Sequence, residues 1–131
     1  MGATEAALDE VEATIGCALA PEHRALLRLI GGSVTVVGAV HLEVFDVEML
    51  VDAQGEVPAS HPGLVVFACD GDRSLLGYDT RDPSTGFPVV LLDPTSAGWH
   101  EALYQASSIA EVLATRSNGL PLRYDKRYRH G

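Results

Sequence analysis

Two runs without a polar residue, Leu64–Ala68 and Val89–Leu92, constrain what this chain can fold into more than any other feature. Each is about a strand long, and neither approaches the ~20 residues that a membrane-spanning helix needs. A strand that is apolar on both faces must be covered on both, by helices or by helices on one side and loops on the other. The runs therefore predict central strands of a covered sheet. Asp70–Gly71–Asp72–Arg73 supplies turn chemistry between Leu64–Cys69 and a further strand, Ser74–Asp79, so those two form a hairpin. Phe87–Asp93 extends the sheet. Upstream, Ser33–Val37 and Val40–Phe45 also read as strands, the second alternating Val40, Leu42 and Val44 with His41 and Glu43.

Helices bracket these strands. Leu8, Val11 and Ile15 form one apolar stripe over residues 4–15, with Asp9, Glu10 and Glu12 on the wet side and Gly16 at the left-handed end. Pro21 opens a second helix whose core face is Leu26, Leu27 and Ile30, and Gly31–Gly32 ends it. Asp46 caps a short helix to about Val51. Ser108–Ile109–Ala110–Glu111 is a capping box for a last helix with Ile109, Val112 and Leu113 inward. The order of elements predicts one α+β domain over residues 1–118, followed by a basic tail, 119–131, that nothing in the sequence orders.

Charge narrows the partners. Nine Lys and Arg face eighteen Asp and Glu, a net charge of −9. Residues 123–131 hold four of the cations and only Asp125, a net +3, which leaves −12 on residues 1–122. A body this negative repels phosphate backbones and attracts basic protein surfaces. Direct nucleic-acid binding is disfavoured. Two cysteines, Cys17 and Cys69, make no disulfide framework, and the N-terminus has no basic-then-apolar leader. A reduced, cytoplasmic protein without a membrane anchor is expected.

Catalysis needs a constellation, and the residues do not supply one. His23, His41, His61, His100 and His130 are scattered, with no helical His pair around a Glu for zinc. Thr35 stands where a nucleophile elbow beginning at Gly31 would need glycine. Asp70–Gly71–Asp72 opens like a calcium loop, but Leu75 replaces its glycine and Arg81 its closing glutamate. No enzyme activity, metal or cofactor is expected.

The order of four motifs resembles the SUKH superfamily of Smi/Knr-like proteins. Ile15–Gly16, then Leu19–Ala20–Pro21–Glu22–His23–Arg24–Ala25–Leu26–Leu27, then Gly31–Gly32, is similar to its N-terminal signature. Phe67–Ala68–Cys69–Asp70–Gly71–Asp72, continuing to Tyr78–Asp79, resembles its central hairpin. Pro88–Val89–Val90 and Ala106–Leu113 match its closing strand and helix, so the likeness covers roughly residues 8–115. It departs at Ala20, which separates Leu19 from Pro21, and at Ile30, which precedes the glycine pair. The resemblance implies a curved, mostly antiparallel central sheet flanked by N- and C-terminal helices. It also implies an immunity protein that neutralises a cognate toxin, often a nuclease, of a polymorphic toxin system. The alternative within the family is a regulatory or scaffold module. On the immunity reading the expected contacts are Glu43, Glu48, Asp70, Asp72, Asp79 and Asp82, with Trp99 as an apolar anchor.

Overall fold

Helix α1 (Glu5–Ile15) starts where Thr4 stays extended and its Oγ1 accepts the Ala7 N–H at 3.2 Å. This fills one of the orphan amides of a helix start. It stops at Gly16, whose φ of 77° is open to glycine and whose N–H donates to the Glu12 carbonyl. The computed structural model describes residues 2–30, 34–37, 41–57, 61–70, 74–82, 84, 86–93, 95, 98–117, 122, 124 and 127–128. Helix α2 (Pro21–Leu29) has proline in its first turn, as expected, but its fully buried residues are His23 and Leu27. Leu26 and Ile30 are half-buried, and the Gly31–Gly32 stop signal lies outside the described residues.

Helix α3 (Val47–Gln54) runs a turn beyond the expected end, with Asp46 Oδ1 accepting the Met49 N–H at 2.9 Å. Helix α4 (Ile109–Ser117) is capped by Ser108, whose Oγ accepts the Glu111 N–H at 3.1 Å. The Glu111 carboxylate reaches one residue further back than a capping box requires, to the N–H and hydroxyl of Ser107. The next orphan amide, Ile109 N–H, donates to Glu22 Oε1 of α2 at 2.6 Å. One helix thus caps another.

The strands are β1 (Val34–Val37), β2 (His41–Val44), β3 (Leu64–Cys69), β4 (Leu75–Asp79), β5 (Val89–Leu92) and β6 (Leu103–Ala106). They form one six-stranded sheet in sequence order, antiparallel throughout. Helix α4 touches both edge strands, β1 and β6. In a flat sheet five spacings of ~4.8 Å would hold those edges ~24 Å apart, so the sheet curls toward α4. Residues 64–68 of β3 and all of β4 and β5 are buried, as the apolar runs required. Tyr78, Phe67, Leu8, Leu27, Leu42 and Leu50 are among the largest fully buried side chains.

β2 covers only the far end of β3, pairing Glu43 with Cys69 and Val44 with Ala68. At the bulge in β3 the Phe67 carbonyl accepts the Phe45 N–H at 2.8 Å. The chain then leaves into α3, and Gln54 returns to complete the edge. Its Oε1 accepts the Val66 N–H at 3.0 Å, and its Nε2 donates to the Leu64 carbonyl at 2.7 Å. One side-chain amide replaces a strand residue. Gln54→Ala leaves both backbone groups unmatched and should cost about 2 kcal/mol in urea denaturation, with Gln54→Glu intermediate.

The tail departs from expectation. Leu122 is buried, Arg127 forms an antiparallel bridge with Leu103, and the Tyr128 N–H donates to the Ala102 carbonyl at 2.9 Å. The tail is therefore held at the β6 edge by a single bridge and one backbone hydrogen bond.

Candidate functional site

Acidic residues on α1 divide between two faces. Glu5, Asp9 and Glu12, at i, i+4 and i+7, face α2, where Arg24 binds all three at 2.6, 3.2 and 3.0 Å. Arg28 also pairs with Glu5. Glu12 further accepts the Leu19 N–H at 2.7 Å, tying the α1–α2 turn. Two guanidiniums thus offset most of the charge of the three carboxylates on this face.

The other face of α1 carries Ala7, Glu10, Val11 and Thr14, at i, i+3, i+4 and i+7. It meets Val47, Glu48, Val51 and Asp52 of α3 across an open groove of about 560 Å³. A second hollow of about 450 Å³ shares Ala7, Val47 and Glu48 and continues toward Ala3 and Ile30. The groove lies between helices, on an apolar floor, with the exposed carboxylates of Glu10, Glu48 and Asp52 around it. Among the described residues no lysine or arginine lines either hollow.

A second constellation is built from the end of β4. Asp79 is 2% exposed, and its carboxylate accepts Arg81 Nε and Nη2, each at 2.9 Å, and the Tyr128 hydroxyl at 2.6 Å. Burial pushes the carboxyl up, but the hydrogen bonds from Arg81 and Tyr128 outweigh it and hold Asp79 below the usual carboxylate range. Arg81 lies 4.0 Å over the Trp99 ring, and the Trp99 indole donates to the Pro62 carbonyl at 3.0 Å. Tyr128 packs against the same ring, centroids 5.7 Å apart. These contacts join four segments of chain. They read as a structural knot.

Inside the core, His23 Nδ1 sits 2.6 Å from the Tyr78 hydroxyl, which also accepts the Ala20 N–H at 3.1 Å. His23 Nε2 has no hydrogen-bond partner among the described residues, and burial pushes the imidazole down to about 4. The pair holds α2 against β4.

The family model for the SMI1 / KNR4 family (SUKH-1) matches residues 2–115. The chain belongs to this family. No curated protein matches the chain. The SUKH-1 match takes in both helices of the groove, the sheet and most of α4, and ends before the docked tail.

Of the expected contacts among the described residues, only Glu48 lies at the groove of this SUKH-1 domain. Glu43 is half-buried on β2, and Asp70 is half-buried at the end of β3. Asp82 closes a local turn by accepting the Ser84 N–H and hydroxyl. Asp72 lies outside the described residues. Asp79, expected at the surface, is corrected to a buried member of the knot, because Arg81 and Tyr128 close over it. Trp99 is half-buried in the same knot rather than free as an anchor. Sequence reasoning missed Glu10 and Asp52. For Asp52 the signal was the repeat Val47–Glu48 and Val51–Asp52 on α3, whereas nothing within α1 marks Glu10 as its neighbour.

Among the described residues no group of three or more His, Cys, Asp or Glu could hold a metal, and Cys17 and Cys69 are not joined in a disulfide. No described helix is long and apolar enough to cross a membrane.

Proposed function

We propose that this SUKH-1 protein is an immunity protein that neutralises a bacterial toxin, in the first instance a nuclease, by binding and not by catalysis. Family membership supports the reading, because the family is generally one of binding and immunity proteins. Its charge agrees. A nuclease must present cations to phosphate, and a protein of net charge −9 is drawn to that face. Arg24 and Arg28 are committed to α1, which leaves the carboxylates on its other side free to set the outward field. With Asp79 and Trp99 engaged in the knot, the contact set narrows to Glu10, Glu43, Glu48, Asp52, Asp70, Asp72 and Asp82.

Co-expression with the toxin encoded beside this gene should restore growth to cells that the toxin alone kills. Folded protein that leaves such cells dying would overturn the reading. Steering also predicts that the association rate with purified toxin falls at least about tenfold between 50 and 500 mM salt.

A further inference from the structure

We infer that the α1–α3 groove receives a basic amphipathic helix of the partner protein, apolar side chains down and lysines or arginines outward. The inference deepens the reading above and rests on it only for the partner's identity.

The floor is made by Val11, Val47 and Val51 and the rim by Glu10, Glu48 and Asp52. None of these three carboxylates has an ion pair among the described residues, whereas Glu5, Asp9 and Glu12 on the other face of α1 all do. A ligand matched to the groove is therefore apolar along its centre and cationic along both flanks. A second copy of the folded body is a poor match, because it brings net negative charge to a negative rim.

The backbone of that ligand is fixed by what the walls lack. Both walls are helices, whose mid-segment N–H and C=O groups are already paired within them. An extended segment laid there would find no ladder partners and would bury unpaired amides over valines. A helix satisfies its own backbone and presents side chains at i, i+3 and i+4, the spacing of Ala7, Glu10 and Val11 on the wall it meets. Helix α3 has eight residues, ~12 Å of length, so about two turns of ligand are engaged.

The test uses a synthetic helix of about 15 residues, near the shortest length that holds in isolation. Leucines occupy one face of this peptide and lysines the rest. A second peptide replaces every lysine by glutamate, and a third places proline at its centre. Binding to the full chain is measured by fluorescence anisotropy, and amide NMR shifts locate the contact. The lysine peptide should bind at least about tenfold more tightly than the other two, with shifts confined to α1 and α3. The double variant Glu48→Lys/Asp52→Lys should weaken it at least about tenfold, and Glu101→Lys, exposed and outside the groove, by less than about twofold. These exposed reversals should leave the thermal midpoint nearly unchanged, which keeps the comparison valid. Shifts centred on the sheet or the tail, or equal binding by the double variant, would overturn the inference. So would a dimer of the free protein that the double variant dissolves, since the occupant would then be a second copy. If the double variant still rescues cells from the toxin, the groove assignment fails and the immunity reading stands. If the peptide behaves as stated but the toxin is never neutralised, the groove stands and the immunity reading fails.

Discussion

Replacing Asp79 by alanine is expected to destabilise the protein by about 3 kcal/mol and to release the segment around Tyr128. The carboxylate is 2% exposed and takes both arms of Arg81 and the Tyr128 phenol, while the Arg81 side chain is 26% exposed. Removing it leaves a part-buried guanidinium and a part-buried phenol without their acceptor, and water within reach of the arginine offsets part of the loss. The figure therefore sits at the low end of the range for breaking a buried pair. Asp79→Asn keeps one acceptor oxygen and should lose about half as much. Tyr128→Phe should cost about 1 kcal/mol on its own and nearly nothing in the Asp79→Ala background, because the two share one hydrogen bond. Urea denaturation gives the energies, and Trp99, the one tryptophan, reports the knot directly through its emission. Loss of less than 1 kcal/mol with unchanged emission would show that Asp79 does not hold the tail.

Acidification from pH 7 to pH 5 should remove about 2 kcal/mol of stability through His23, and the limit near pH 4 is about 3 kcal/mol. The folded-state value is pushed by burial from the ordinary 6.5 to about 4. A depressed base favours the neutral form in the fold, so its contribution is complete above pH 6.5. It is lost as pH falls toward 4, while the unfolded chain takes up the proton first. The geometry explains the cost: one nitrogen already faces the Tyr78 hydroxyl, and Nε2 is buried with no acceptor for a second N–H. His61 is shifted in the same direction by burial and adds to the same window. Asp79 acts in a different one: its lowered value stabilises the fold above the ordinary carboxylate range and fails only below it. Midpoints of urea unfolding across pH 4–7.5 should decline steeply in the natural protein and much less in His23→Phe. Equal slopes would place the acid sensitivity elsewhere.

Much of the fold was legible because its signals are local. Asp46 and Ser108 stand where a capping oxygen must be, and Gly16 where the left-handed turn must be. Five strands announced themselves as apolar or alternating runs. The sixth, β6, did not, because Gln105 is buried while Leu103 and Tyr104 are half-exposed, which inverts the pattern that marks a strand. The docking of the tail was hidden in the same way: its composition is that of a solvated terminus, and only tertiary structure brings Asp79, Trp99 and Ala102 to Tyr128. Asp79 itself misled for a tertiary reason. An aspartate at a strand end reads as exposed until Arg81, two residues on, folds back across it. Glu48 was recognised as an outward acid, but Glu10 and Asp52 join it only once α1 and α3 pack together, and no pattern within one helix reports that pairing.

Titration of the toxin's activity with this protein tests the central claim most directly. Purified toxin is mixed with increasing amounts of the SUKH-1 protein, and hydrolysis of its substrate is followed. A binding inhibitor that covers the active face predicts a linear fall to a complete stop at one equivalent, at low salt, without turnover of any added small molecule. Undiminished toxin activity in the presence of excess folded protein would contradict the account.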